Sequence, residues 1–385
     1  MAVEYKMWID GEAATTEQLD KIDEIVVDQA IDRAWEARIK IPVCVTTEGK
    51  WDGETDSLTK AFTRVRIEVN AGDSKFVPLI DGPVVSVDST RSAQPGKSVI
   101  TIVVHDDSAL LNREVKVDVQ EGKNDSDLAQ TIFSDNLTGT PEIDDTGPQA
   151  NQTTSAAAQN LTPMQYLRDL VRRHPEWHAY VLPGKNPGKS VGCFKKFPTD
   201  TDGLPEMVLL GADRNIAAFN VANKAQGPTA VRAASLPLDH SGPVTSSNNF
   251  RDATLMGDPP AAASGAPEAT TQLPPGQSDR VDLDEMTKGA AANSAFCLEA
   301  TGSIVPFCYP AALSPYRWVM VKISDSQFST KYLITRVTHT LTRSMYTQSF
   351  SVKGNGVTVA AGGSATGPQP SASLSVSFNL QLSIF

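Results

Sequence analysis

The chain has 385 residues, with 45 acidic against 34 basic side chains and a formal net charge of −11. At roughly 100–200 residues per domain, this length accommodates two to four domains, each able to bury a core. Hydrophobic residues at 40% and charged ones at 21% are ordinary globular usage, which excludes disorder throughout. The acidic balance excludes a purely electrostatic nucleic-acid binder, because phosphate contacts need clustered Lys and Arg.

No apolar run approaches the ~18–20 residues that cross a bilayer, and the first ten residues lack a signal peptide's basic and apolar regions. No membrane association is expected, and assembly in a cytoplasm is. Cys44, Cys193, Cys297 and Cys308 form no Cys-x-x-Cys pair and have no His at zinc spacing. They read as buried or half-buried thiols, with a contact between Cys297 and Cys308 left open.

Residues 1–145 read as a β-rich domain. Strands are predicted at Glu24–Gln29, Ala37–Val45, Arg64–Val69, Phe76–Ile80, Val84–Ser89, Ser98–His105 and Arg113–Val119, from alternation or β-branched runs. Asp81-Gly82 and Pro95-Gly96 supply turn chemistry between them. The stretch from Leu19 to Ile41 has helical propensity, but Glu24 to Asp28 favours two strands. A short helix is predicted over 125–133, ahead of a polar linker at 146–160.

Residues 161–235 read as a small α+β domain. Its helix starts at Thr162 as N-cap with Pro163 at the first helical position, and buries Met164, Leu167, Leu170 and Val171. Strands follow at Ala179–Leu182, Ser190–Phe194, Met207–Gly211, Ile216–Val221 and Val231–Ala234. Residues 236–293 are rich in Pro, Gly, Ala and Ser, and their prolines predict an irregular segment. A second β domain is predicted over 294–358, with strands Trp318–Ile323, Tyr332–Leu341 and Tyr346–Val352. Residues 359–385 form a Gly/Ser/Pro bridge and a terminal strand. In it Leu374, Val376, Phe378, Leu380, Leu382 and Ile384 alternate with small or polar residues. That single apolar face suits pairing within its own subunit or oligomer, or addition to a partner's sheet edge.

The chain offers little chemistry. His174-Pro-Glu-Trp-His178 is similar to a zinc-protease helix, but the Glu is one position late and Pro175 disrupts the helix. His105-Asp106-Asp107 reads as a solvated turn. Gly-bearing loops at Gly184–Gly188 and Gly354–Gly356 lack phosphate-loop spacing, and no nucleophile elbow or zinc deaminase pattern is present. No catalytic, cofactor or metal residues are expected. The enzyme class that stays open is a peptidoglycan hydrolase, whose paired carboxylates no spacing picks out.

The most informative stretch is the hairpin from Lys331 to Phe350, presenting Tyr332, Ile334, Val337, Tyr346 and Phe350 for packing and carrying Arg336, His339 and Arg343 at its ends. It resembles a stretch of the late-control D-like, or tail hub, family of contractile tails. There the pattern is Tyr-x-Ile/Val, Val-x-His, a turn and Tyr-x-Thr-x-Phe; here Phe350 falls one residue late. The helix at 166–173 with the segments 179–184, 191–194 and 209–215 resembles the same family, as does 228–234. The resemblance covers most of residues 1–358.

The resemblance implies two tail-tube-like β-barrels per subunit, at about 1–145 and 294–358, with a small α+β domain and long irregular linkers in a mainly β chain. It implies a homotrimeric baseplate hub, with no catalytic residues, that adapts a six-fold tail tube to a three-fold spike in the virion tail. The alternative host is a phage-like injection machine of a cell. Implied partners are the tube protein, a separate spike or needle protein, and a baseplate wedge or tape-measure protein, with DNA passing through unbound. The charge is uneven: residues 1–60 hold 14 acidic and 7 basic side chains, residues 294–353 hold 2 and 6. An acidic barrel beside a basic one would favour the correct neighbour. An acidic inner wall would let DNA slide.

Overall fold

The computed structural model describes residues 4–52, 57–72, 75–94, 96–120, 123–147, 157–174, 176–198, 203–224, 227, 229–235, 242–250, 256, 261, 269–273 and 283–358. The first unit contains β1 (Glu4–Ile9), β2 (Glu12–Ala13), a short helix α1 (Thr16–Asp20), β3 (Glu24–Ala30), β4 (Glu36–Pro42), β5 (Arg64–Asn70), β6 (Phe76–Thr90) and β7 (Val99–His105). They lie in the order β2-β1-β5-β6-β7-β4-β3. Period-2 alternation sends Ile25, Val27, Ala37, Ile39, Val65, Ile67, Ile100, Ile102 and Val104 into one core. The ambiguous stretch before Ile41 is therefore two strands, as β-branched residues on a pleated surface favour.

Asp81-Gly82 does not make a turn. β6 is one 15-residue strand whose first half pairs with β5 and whose second half pairs with β7. Asp81 is buried rather than solvated, accepting from Arg64 Nε at 2.7 Å, Arg66 at 3.0 Å and the Gly188 amide at 2.9 Å. Gly82 lets the strand pass under β7: a Cβ there would stand 1.9 Å from the His105 carbonyl oxygen.

The α+β unit follows a 3₁₀ turn at Asp107–Asn112. It holds β8 (Lys116–Gln120), α2 (Asp125–Asn136), β9 (Glu142–Ile143), β10 (Ala157–Leu161), α3 (Pro163–Arg173), β11 (Trp177–Leu182) and β12 (Val191–Lys196). Thr162 caps the helix as the sequence suggests, and Gln165 completes a capping box: Thr162 Oγ1 accepts from the Gln165 amide at 3.3 Å and Gln165 Oε1 from the Thr162 amide at 3.2 Å. Leu128, Phe133, Leu167, Leu170 and Phe194 share a core, so the 125–136 helix packs here rather than on the first barrel.

The second barrel draws on two stretches of chain. β13 (Met207–Val208) and β14 (Ile216–Asn223) come first. Then β15 (Ala230–Ser235), β16 (Val244–Asn249), β17 (Thr270–Gln272) and α4 (Leu283–Ser294) form a separate layer with its own small core of Ala233, Leu283 and Met286. β18 (Leu298–Ile304), β19 (Trp318–Lys322), β20 (Lys331–Thr342) and β21 (Tyr346–Gly354) complete the barrel. The order is β14-β18-β21-β20-β19-β13. Strands 207–223, expected in the 161–235 domain, thus pair with the barrel expected at 294–358. The segment 236–293, expected to be irregular, carries two strands and most of a helix in proline-free stretches, where nothing forbids backbone pairing.

β3 pairs with β20 over seven residue pairs, from Arg336 opposite Ala30 to Thr342 opposite Glu24, joining both barrels into one 13-stranded sheet. Gly82→Ala is expected to lower stability by about 3 kcal/mol, since backbone rather than a flexible side chain meets the new methyl. Denaturant unfolding checks it, and an unchanged midpoint would contradict the close approach.

Candidate functional site

The site that organises this chain is the seam between the barrels. β20 is extended because β-branched residues alternate along Lys331–Thr342, and it is shared because both its edges carry partners, β21 on one and β19 then β3 on the other. Inside the seam His339 is fully buried. Gln29 Nε2 donates to the Leu79 carbonyl at 2.7 Å, which turns Gln29 Oε1 towards His339 Nε2 at 3.2 Å. His339 Nδ1 then accepts from the Tyr346 hydroxyl at 2.8 Å, with the rings stacked at 5.9 Å. The imidazole is neutral with its proton on Nε2, and burial pulls its pKa down to about 3.

On the exposed face of the seam, Arg336 makes a bidentate pair with Asp28 at 2.7 and 2.6 Å. This is one acidic-to-basic contact between barrels of the kind the uneven charge suggests. Tyr332 and Phe350 lie in the second barrel's core, with Phe219 edge-on to Tyr332 at 5.6 Å. Gly302 makes room for Phe350, whose Cζ would lie 2.5 Å from a Cβ there. The resemblance motif residues therefore fall in two places: Tyr332 and Phe350 fill one barrel, while His339 and Tyr346 bind that barrel to the other. Sequence reading put His339 at a hairpin end; in the fold the neighbouring β3 pairs alongside it and it is buried.

A second polar cluster ties the first barrel to the α+β unit. Arg66 is 1% exposed and donates to Glu68 at 2.7 Å, Asp81 at 3.0 Å and the Gly184 carbonyl at 2.8 Å. Arg64 reaches Asp107 at 2.7 and 3.1 Å and Ser190 at 3.2 Å. The Gly184–Gly188 loop is thus a clamp on Arg66, with its backbone carbonyls as acceptors. Sequence reading missed these residues. Charged side chains alternating with Val65, Ile67 and Val69 signal a half-exposed strand, and here both faces of β5 are covered.

The other candidates separate. His174 Nε2 lies 3.0 Å from Asp125 and His178 Nδ1 lies 3.0 Å from Asp32, so the two imidazoles serve different elements. His105 lies 3.3 Å from Glu36. Asp106 and Asp107 are buried, not in a solvated turn. Asp106 accepts from the Trp35 and Ser108 amides at 2.7 and 2.9 Å, while burial pushes its carboxyl up to about 6. Cys193 and Cys297 are buried, but Cys44 and Cys308 are exposed, and all four are free. Among the described residues no cluster of His, Cys, Asp or Glu could hold a metal, and no helix is long and apolar enough to cross a membrane. The alternating segment from Leu374 to Ile384 lies outside the described residues.

No protein-family model matches the chain, and no curated protein matches it. Solved structures do. The 43 kDa tail protein of prophage MuSo2 from Shewanella oneidensis has a TM-score of 0.65 at 11% identity, covering 91% of this chain and 98% of that one. The chain has the fold of phage tail proteins. A tail protein from Neisseria meningitidis MC58 gives 0.62 at 11% identity, over 92% of this chain and 97% of its own. The Francisella PdpA-VgrG complex gives 0.51 at 11%, over 91% of this chain and 58% of the matched one.

The neutral state of His339 has a measurable consequence. Its ordinary pKa is near 6.5, so as pH falls the unfolded chain takes up the proton first. This contribution to stability is complete above about pH 6.5 and is lost as pH falls towards 3. Between pH 7 and pH 5 the loss from this group is about 2 kcal/mol. Urea unfolding of His339→Gln should therefore show a shallower pH dependence than the unsubstituted chain; equal slopes would exclude a buried neutral imidazole.

Proposed function

We propose that this chain is the structural central hub of a contractile tail baseplate: a non-catalytic homotrimer in the virion tail, assembled in the host cytoplasm, that adapts a six-fold tube to a three-fold spike and lines the ejection channel. The carrying observation is the β3–β20 seam. It fuses two barrels of one chain side by side in a single sheet, within a tail-protein fold matched almost end to end. Two barrels per copy make six positions from three copies, which is the arithmetic an adaptor between six-fold and three-fold parts requires. The partners on this reading are the tube protein, a separate spike or needle protein, and a baseplate wedge or tape-measure protein, with DNA passing through without specific binding. No cofactor is needed. A second reading, the hub of a phage-like injection machine in a cell, is favoured by the likeness to a VgrG complex.

The mass of the purified full chain tests the adaptor. Three times the 41.2 kDa chain mass is expected, and a stable monomer without a ring-forming partner would count decisively against it. Cell-wall zymography tests the non-catalytic reading, with no lysis band expected; a clear band would favour the hydrolase. Residues 371–385, with Leu374, Val376, Phe378, Leu380, Leu382 and Ile384 on one face of an alternating pattern, are proposed to bind the spike. Their deletion should leave trimers intact and abolish spike capture; unchanged capture would refute that contact.

A further inference from the structure

The two barrels repeat one another strand for strand. β3, β4, β7, β6 and β5 lie in that sheet order, and β14, β18, β21, β20 and β19 lie in the same order, with the same succession along the chain. The match holds at single residues. The β6–β7 ladder breaks register between Val84 and Ser86, and the β20–β21 ladder between Ile334 and Arg336. Just upstream, Phe62 and Tyr316 are both non-glycine residues in the left-handed region, at φ 64° and 62°. The Phe62 amide donates to the Val84 carbonyl at 2.9 Å and the Tyr316 amide to the Ile334 carbonyl at 3.2 Å. Through these ladders Ser86 corresponds to Arg336, Ser89 to His339, and Val27 on β3 to Val221 on β14.

The repeats differ in what covers their edges. β20 carries β3 along the edge beyond Ile334, whereas among the described residues no strand pairs with the same edge of β6 beyond Val84. The outer edge of β14, the counterpart of β3, is equally unpaired among them. Exposure follows. Ile25, Val27 and Gln29 are buried, but their counterparts Phe219 and Val221 are half-buried and Asn223 is exposed. Tyr316 is 6% exposed with its hydroxyl accepting from the Asp32 amide, while Phe62 is 53% exposed.

We propose that a second copy of this chain supplies the missing strand on each edge: β14 of one copy pairs antiparallel with the second half of β6 of the next. The register copies the seam, with Val87 opposite Asn223, Asp88 opposite Ala222, Ser89 opposite Val221 and Thr90 opposite Asn220. This rests on the trimeric hub reading and gives it a contact surface. Asp88 and Lys224 then lie diagonally across the junction, as Asp28 and Arg336 do within the chain, so opposite charges meet. The contact is heterologous, one edge of each kind per copy, and such contacts form a ring where the rotation between copies closes.

Paired cysteines in the full chain test this, in a Cys44→Ser, Cys308→Ser background. Directly opposite residues bring Cα atoms within disulfide reach, whereas a two-residue shift does not. Val87→Cys with Asn223→Cys, and separately Ser89→Cys with Val221→Cys, should give covalent dimers and trimers under mild oxidation. The yield should exceed that of the shifted pair Val87→Cys with Val221→Cys by about tenfold. Trimers by mass without this preference would overturn the contact and leave the hub standing; monomers at all concentrations would overturn both. Hydrogen exchange on the unsubstituted chain reads the same contact without any variant. Amides of 86–90 and 218–223 should exchange at least about tenfold more slowly in the trimer than in dilute monomer, and equal rates would overturn the proposal.

Discussion

Everything in this chain hangs on one strand being shared by both barrels. β20 gives one edge to its own hairpin partner and divides the other between β19 and β3, a strand more than 300 residues earlier, so the two barrels cannot move independently without breaking a continuous ladder. Backbone pairing alone would leave the register open to slippage, but a one-residue slip would turn the buried Ile25, Val27, Val337 and Leu341 to the other face. Gln29 and His339 close that option. Both are buried polar groups, and a slip would leave each without its partner in a dry interior, a cost that backbone pairing does not recover. The polar pair thus specifies the arrangement, while Val27, Val337 and their neighbours supply the bulk of the burial.

The same logic, with charge in place of neutral groups, fixes the α+β unit. Arg66 and Asp81 are both almost wholly removed from water, and each is tolerable only because several partners surround it. Those partners come from β5, β6 and the loop after β11, so the unit is oriented by a network that no single element contains. Gly82 belongs to the same device: by letting β6 run under the His105 carbonyl, it keeps Asp81 inside instead of at a surface turn. The carbonyls of the Gly184–Gly188 loop are spent on Arg66.

Strand alternation, the Thr162 cap and the β-rich character were legible because they depend on neighbours within a few residues. The hairpin was legible for the same reason, and its resemblance pointed to the tail-protein fold. What failed was whatever needs a distant partner. Asp81-Gly82 has the composition of a turn, and only the two arginines across the sheet make it the middle of a strand. Strand Leu298–Ile304 has a Gly and no alternating apolar face strong enough to announce it, because Gly302 is there to admit Phe350. Proline content described 236–293 by its average and hid the short ordered stretches between prolines.

The sequence by itself determined the class of the molecule: acidic and mainly β, with two β regions flanking a capped-helix unit. These follow from composition and periodicity, which act locally. Only the tertiary structure decided that strands 207–223 complete the barrel of 298–354, that His339 is an interior hinge-pin rather than a hairpin end, and that the two barrels repeat. Repetition of this kind lives in hydrogen-bond ladders, in a shared bulge and in two left-handed aromatic residues. A ladder constrains backbone direction and burial, and many side chains satisfy both, so the two halves repeat in shape without repeating in sequence.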